Sequence, residues 1–359
     1  MRLLSFEYIT SNWKLNKIQL QDVNLLVGKN AVGKSKTINS LANAISYILQ
    51  VEDNKIESDF IASFIFESGE ETILYHFSCI DKKIINEALI RNTKEKNRTI
   101  LLDRHNGVTL LHNEAINPPD DKLVLHVRRD TVQYPYFERI ILWAENVCGH
   151  RFNELEYAGD YSTRSNISKA DRNLYEIVKS LSPESIQRVV NQANQLGYPI
   201  EQIVPYEHEF GSLEVVFFYE KDIQQGLLYF QLSKGMFRTL YLLIYMEYLA
   251  SIKKPSLLLV DDLCEGLDYD RSTLLGRMIY DFCLEHGIQF IASSNDSFLM
   301  DVVDLKYWNL LQRNGNEVEG INHITHPELF DDFEFTGLSN FDLFSSDYIA
   351  RHLNRKHNE

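Results

Sequence analysis

Cysteine is scarce and scattered: the 359 residues hold four, Cys79, Cys148, Cys264 and Cys283, and none falls in a CxxC spacing. A zinc ribbon or a disulfide framework is thereby excluded, and a reducing cytoplasm is the expected compartment. No uninterrupted apolar run approaches the roughly 20 residues a membrane span needs. The opening MRLLSFEYITSNWK lacks the apolar centre and cleavage signal of a secretory leader. A soluble chain, not exported and without a membrane partner, is expected. Internal repeats, heptad runs and low-complexity stretches are missing too, which excludes solenoids and long-armed coiled-coil ATPases.

Positive charge is also in deficit, with 36 Lys and Arg against 51 Asp and Glu and a net charge of −15. Such a surface repels polyanions on average and excludes a protein that coats nucleic acid with its whole surface. A local basic groove stays open, and two clusters are candidates: Arg91, Lys94, Lys96, Arg98 and Arg104, and the C-terminal Arg351, Arg355 and Lys356. Each competes with the plainer reading of a solvated face. What is present is a 44% hydrophobic content, enough for one large core that could carry an inserted subdomain.

Patterning divides the chain. QDVNLLVGKN presents Val23, Leu25, Leu26 and Val27 as a buried strand that halts at glycine. SKTINSLANAISYILQ follows with Ile38, Leu41, Ala42, Ile45 and Ile48 at helical spacing. Residues 51–125 read as short strands, DFIASFIFES, ETILYHFSCI, TILLDR and VTLLH, forming an antiparallel sheet, with KLVLHV as a further strand. From about 137 to 205 the character turns helical, and Ser182-Pro183 suits a helix start. GSLEVVFFYE then reads as a strand, GMFRTLYLLIYMEYLA as a buried helix, PSLLLVDD as a core strand, RSTLLGRMIYDFCLEHG as a helix ended by Gly287, and IQFIASSND as another core strand. Alternating strands and helices argue for a mainly parallel sheet.

Gly28-Lys29-Asn30-Ala31-Val32-Gly33-Lys34-Ser35 fits G-x-x-x-x-G-K-[ST] and lies between a strand and a helix, where phosphate binding requires it. The glycines let main-chain N–H groups curl around phosphates, and the helix N-terminus, with Lys36 in its first turn, favours an anion. Lys34 should reach the β- and γ-phosphates, and Ser35 should ligate magnesium. Leu257 to Val260 then deliver Asp261 and Asp262 to a strand's carboxyl end, where open α/β sheets bind ligands. A turn with solvated acids is the plain alternative. Asp261 is the expected magnesium organiser.

Upstream of that strand, Leu232-Ser233-Lys234-Gly235-Met236 precedes a helix, and downstream stands Gly266-Leu267-Asp268. The order P-loop, signature, Walker B and D-loop resembles ABC-type ATPases of the AAA family. It resembles in particular the compact branch of OLD, RecF and SMC-like proteins that act in prokaryotic DNA repair and phage defence. The resemblance runs from the first strand to about residue 313. It implies an α/β P-loop NTPase of ABC-ATPase type, with a mainly parallel core sheet, an antiparallel β subdomain and an inserted helical lobe. The expected divisions are 1–136 for the N-terminal ATPase lobe, 137–210 for the helical lobe, 211–313 for the rest of the core and 314–359 for a tail.

The resemblance also implies roles. Ser233, Lys234 and Gly235 would meet the γ-phosphate held by a second copy's P-loop, and Asp268 would cross the same interface. Lys234 and Met236 depart from LSGGQ, so a simple helix cap at Ser233 is the alternative. Asp262 stands where the family usually has a water-polarising glutamate, and Asn295 where it has a γ-phosphate-sensing histidine; hydrolysis is expected to be slow. Gln133 is placed as a Q-loop ligand to magnesium, and Trp13 or Tyr8 as a platform for adenine, against loop and core readings. Phe335, Phe341, Leu343, Phe344, Tyr348 and Ile349 either pack the tail onto its own domain or dock a partner. The roughly 45 residues beyond 313 are too few for the Toprim nuclease domain of some relatives. The expected function is a cytoplasmic Mg-ATP-dependent ATPase that dimerises head-to-tail. It would act as sensor or motor for a separate effector protein or nucleic acid, in defence or repair. A transporter's nucleotide-binding subunit and a nearly inactive ATP-binding scaffold are the alternatives.

Overall fold

A computed structural model describes residues 1–50, 59–95, 97–150, 174–207, 214–346 and 348–349. Sixteen strands occur among them, in chain order β1 (Arg2–Ile9), β2 (Lys14–Gln19), β3 (Val23–Val27), β4 (Phe60–Ser68), β5 (Glu71–Ile80), β6 (Lys83–Thr93), β7 (Arg98–His105), β8 (Val108–Leu111), β9 (Glu114–Ile116), β10 (Val147–His150), β11 (Ile200–Glu207), β12 (Glu214–Glu220), β13 (Ser256–Val260), β14 (Ile288–Ser293), β15 (Trp308–Asn314) and β16 (Glu317–Asn322). The helices are α1 (Lys34–Ile48), α2 (Val124–Val127), α3 (Pro135–Glu145), α4 (Leu174–Ser180), α5 (Pro183–Gln195), α6 (Lys234–Ile252), α7 (Tyr269–His286), α8 (Ser297–Val302), α9 (Pro327–Glu334) and α10 (Asn340–Ser345). None among the described residues is long and apolar enough to cross a membrane.

Fourteen strands form one sheet in the order β10-β13-β14-β3-β15-β16-β2-β1-β4-β5-β6-β7-β8-β9. The run β10-β13-β14-β3-β15 is parallel, and from β1 to β9 the pairing is antiparallel. The core strands read as continuous apolar runs because both faces are covered. In β13, Leu258 and Val260 join one cluster with α6 and α7, while Leu257 and Leu259 join the other with α1 and α3. The antiparallel segment expected beside the nucleotide is thus continuous with the parallel core.

Three expected boundaries move. Val147–His150 lies inside the expected helical lobe, yet it is the edge strand of the core sheet, paired with β13; four residues are too few to show a period. Strand β12 leaves the expected core and pairs with β11 of the lobe in a separate two-stranded sheet. The expected tail begins inside a hairpin, because β16 pairs with β15 on one side and β2 on the other. A buried asparagine ladder pins this junction: Asn309 donates to Asn24, and Asn322 donates to Asn309 and to the Gln19 carbonyl. Beyond it Leu329, Phe330, Phe333, Leu343 and Ile349 sink into the core, and only Phe335 of the tail's aromatics stands free, 90% exposed.

KLVLHV is a turn of helix, not a strand. Its cause is tertiary: the fully buried Glu87 accepts the Val124 N–H at 2.8 and 3.0 Å through its two oxygens and the Tyr75 hydroxyl at 2.8 Å. A carboxylate from β6 thereby satisfies a helix-start amide that no local side chain reaches. Burial pushes the Glu87 carboxyl up to about 7, against the opposing pull of those hydrogen bonds and of Arg104. The sign follows from linkage. The folded state holds a proton that the unfolded chain releases near 4.5, so stability from this group is complete below 4.5 and is lost as pH rises through about 7. Parent and Glu87→Gln should therefore differ in urea unfolding by an amount that changes on the order of 3 kcal/mol between those limits and is flat above them. A difference that does not vary with pH would refute this.

Candidate nucleotide site

The P-loop is a strand, a strained turn and a helix start. Lys29, Asn30 and Ala31 form its exposed tip, while Val32 and Lys34 are buried. Ala31 holds φ 64° and Gly33 φ 118°. A side chain at Gly28 would meet Val32 at 2.6 Å and the Leu311 carbonyl at 3.0 Å; one at Gly33 would meet Val318 at 3.3 Å. Both glycines are needed where the loop curls against β15 and β16. Gly33 caps α1 without a side chain, and no acid occupies the first turn. The first amides of α1, including those of Ser35 and Lys36, therefore point outward with the positive end of the helix dipole.

Lys34 is only 6% exposed, and its ammonium donates to the Gly28 carbonyl at 2.7 Å and the Lys29 carbonyl at 3.4 Å. Burial lowers its proton affinity, and Asp262 and Asp261 partly restore it. Among the described residues no carboxylate lies within salt-bridge distance of it. A buried cation supported only by carbonyls and a crown of helix-start amides fit a polyphosphate chemically.

The carboxylates arrive from the neighbouring strands. Ser293, at the end of β14, donates to Asp261 Oδ1 at 2.5 Å and accepts the Asp262 N–H at 2.9 Å. Ser294 extends the stitch, donating its hydroxyl to the Leu263 carbonyl and its N–H to Leu26 of the P-loop strand. Asp262 sits half-buried at φ 54°. Desolvation, then Asp261 and Glu265, raise its proton affinity, opposed by Lys34 and Arg238. Asn295 is exposed just beyond. Ser35 and Asp261 offer the hard oxygen donors that magnesium prefers.

The segment 233–235 and the turn at 266–268 also meet. Ser233 accepts the Met236 N–H at 3.2 Å and caps α6, with Lys234 and Gly235 in the first turn. A side chain on Gly235 would lie 3.0 Å from Leu267 and 3.6 Å from the Gly266 carbonyl. Asp268 caps α7, accepting the Arg271 N–H, and pairs with the Arg271 guanidinium at 2.5 Å.

Other candidates fall elsewhere. Gln133 is exposed in a turn closed on Asp130, whose carboxylate accepts its N–H at 2.7 Å; no hydrogen bond among the described residues links it to the P-loop. Tyr8 and Trp13 are core side chains, 0% and 2% exposed, so neither offers a ring face to adenine. The first basic cluster is dispersed: Arg91 pairs with Glu71, Lys94 with Glu70, and Arg104 is buried against the Lys122 and Pro119 carbonyls. Lys96, Arg351, Arg355 and Lys356 lie outside the described residues. Sequence reading missed Ser293, because its role depends on β14 standing between β3 and β13. It missed Arg313 as well, which donates to the Ala31 carbonyl at 3.1 Å from a strand nearly 300 residues away.

The family model described as "AAA domain, putative AbiEii toxin, Type IV TA system" matches residues 23–301. No curated protein sequence matches the chain. Among solved structures the chain is similar to an SMC head bound to the C-winged helix domain of ScpA, at 11% identity and TM-score 0.51 over 89% of this chain and 97% of that one. It is also similar to the Pyrococcus furiosus Smc head domain with an extended coiled coil, bound to the C-terminal domain of ScpA (11%, TM-score 0.49, 93% and 99%), and to the SMC head domain from Thermotoga maritima (12%, 0.46, 90% and 99%). The first of these shows a likeness of fold to an SMC head.

The two left-handed residues of the loop give a direct test of its geometry. Gly33→Ala should cost about 1–3 kcal/mol in urea unfolding, through strain at positive φ. Ala31→Gly should stay within about 1 kcal/mol of the parent, because relief of strain offsets added unfolded-state entropy. Equal effects at both positions would contradict the loop described.

Proposed function

The chain belongs to this AAA-domain family, and from that premise we propose that it is a Mg-ATP-hydrolysing switch that closes head-to-tail on a second copy and thereby controls a separate effector protein. The observation that carries this reading is the buried Lys34 ammonium, held by carbonyls alone beneath a capless helix start. Residues 28–36 would hold the triphosphate through main-chain amides, with Lys34 at its far end. Ser35 and Asp261 would hold magnesium, which when bound neutralises phosphate charge. Asp262 would orient and deprotonate the attacking water, its main chain fixed by Ser293. Asn295 offers a hydrogen bond at the switch but no charge.

Ser233, Lys234 and Gly235 present the start of the 19-residue helix α6, a second set of outward amides. In this reading they meet the γ-phosphate bound by the other copy. The family's description, which names a toxin of a type IV toxin–antitoxin system, supports defence over metabolism; the separate effector is part of the proposal itself. DNA repair is the neighbouring alternative. The dispersed basic cluster favours a protein effector over direct nucleic-acid binding.

Calorimetry with magnesium and light scattering test this together. The parent should bind ATP and double in mass; Lys34→Ala should lose at least about 100-fold in affinity, and Ser233→Arg should bind yet stay monomeric. A folded parent that takes up no ATP would sink the reading, and one that binds but never changes mass would remove its dimer.

Slow turnover is the second reading, favoured by the short Asp262 carboxylate. Asp262→Glu should raise kcat by about tenfold if reach limits the reaction, about 1.4 kcal/mol of barrier. An unchanged or lower kcat would show that reach is not limiting.

A further inference from the structure

Arg271 of α7 gathers three elements that the chain supplies from distant places. Its Nη1 pairs with Asp268 of the D-loop at 2.5 Å. Its Nε donates to the Leu196 carbonyl at 3.0 Å and its Nη2 to the Gly197 carbonyl at 3.5 Å. Those carbonyls end α5 of the helical lobe, where Gly197 turns at φ 76°. A cation there is favoured by the negative end of the helix dipole. The guanidinium also lies over the Tyr198 ring, 4.6 Å from its centroid.

Tyr198 carries the connection onward. The ring is 6% exposed, and its hydroxyl lies 3.7 Å from where a side chain on signature Gly235 would begin. Gly235 in turn packs on Leu267 and Gly266 of the D-loop. The circuit Arg271, Tyr198, Gly235, D-loop, Asp268 and back to Arg271 is closed. One planar cation with several donors can pair with an acid, cap two carbonyls and stack on an aromatic ring at once; a lysine cannot.

We infer that Arg271 is the positioning residue that locks the signature segment and the D-loop into one unit against the helical lobe, so that both reach a second copy's nucleotide in a fixed relation. The inference rests on the proposed ATP-dependent dimer. Arg271 touches no part of the P-loop among the described contacts, so its loss spares ATP binding by one copy and weakens closure.

The experiment compares the full chain with Arg271→Ala and Arg271→Lys, using calorimetry with Mg-ATP, light scattering across protein concentration, and steady-state hydrolysis. Amide hydrogen exchange at residues 196–198 and 233–236 gives a readout that a purely structural role elsewhere would not move. For Arg271→Ala the expected results are ATP affinity within about threefold of the parent and a dimerisation midpoint at least about tenfold higher. kcat should fall with KM unchanged, and exchange should be faster at both segments. Arg271→Lys should melt close to the parent yet keep the dimerisation defect, and it decides the matter if the alanine variant misfolds. Parent-like dimerisation and exchange in a folded variant overturn the inference alone. A parent that binds ATP without dimerising overturns the dimer reading on which it rests, and the inference falls with it.

Discussion

Everything in the site depends on the parallel pairing of β14 between β3 and β13. The registers Ala292↔Leu25 and Val260↔Ala292 make three strands finish at one edge. The P-loop follows the first, Asp261 and Asp262 the second, and Ser293 and Ser294 the third. Because a strand end exposes main-chain groups that the sheet no longer pairs, something must satisfy them. The two serines do so, binding Asp261, the Asp262 N–H, the Leu263 carbonyl and the Leu26 carbonyl. Helices burying both sheet faces then hold that edge in place.

The strands on the other flank of β3 serve the same edge. Trp13 and Val318 back Gly33, and Leu311 backs Gly28, so the loop's curl is set by strands joined to β3 through β15, β16 and β2. The three-asparagine ladder fixes which strand lies where, since a register slip would strand buried amides without partners. A loop that must remain open to a ligand cannot stabilise its own shape by burial. Here neighbouring strands provide the rigidity instead.

Local signals were legible. Glycine spacing, a buried strand and a helical period placed the glycine-rich turn between β3 and α1, the carboxylates after β13 and the Ser182 and Ser233 caps, because each needs only a few consecutive residues. The unread features are long-range. Val124–Val127 is helical because Glu87, 37 residues away, caps it. The basic cluster dispersed because its partners Glu70 and Glu71 sit in the turn and at the start of the adjacent strand β5, and Arg104 turns inward. Strand β10 is short enough that only its pairing with β13 defines it. Arg271 reads in sequence as an ordinary helix-surface residue; the lobe turn it clasps lies 75 residues earlier.

The charges at the edge favour a particular kind of ligand. Lys34 is buried, weakened as a cation by desolvation and short of a hydrogen-bonded anion. Asp262 is weakened as an anion by burial and by the nearby charges of Asp261 and Glu265. A lone anion would satisfy Lys34 and the α1 amides while worsening the crowding of carboxylates; a lone divalent cation would do the reverse. A magnesium–polyphosphate complex presents negative oxygens to the lysine side and a cation to the carboxylate side, relieving both at once. The desolvation of these groups is met when the chain folds, so the site is preorganised and binding need not repeat that cost. On the proposed reading these electrostatics would favour the metal and the phosphate together, with the folded sheet edge holding Lys34 and the two carboxylates apart.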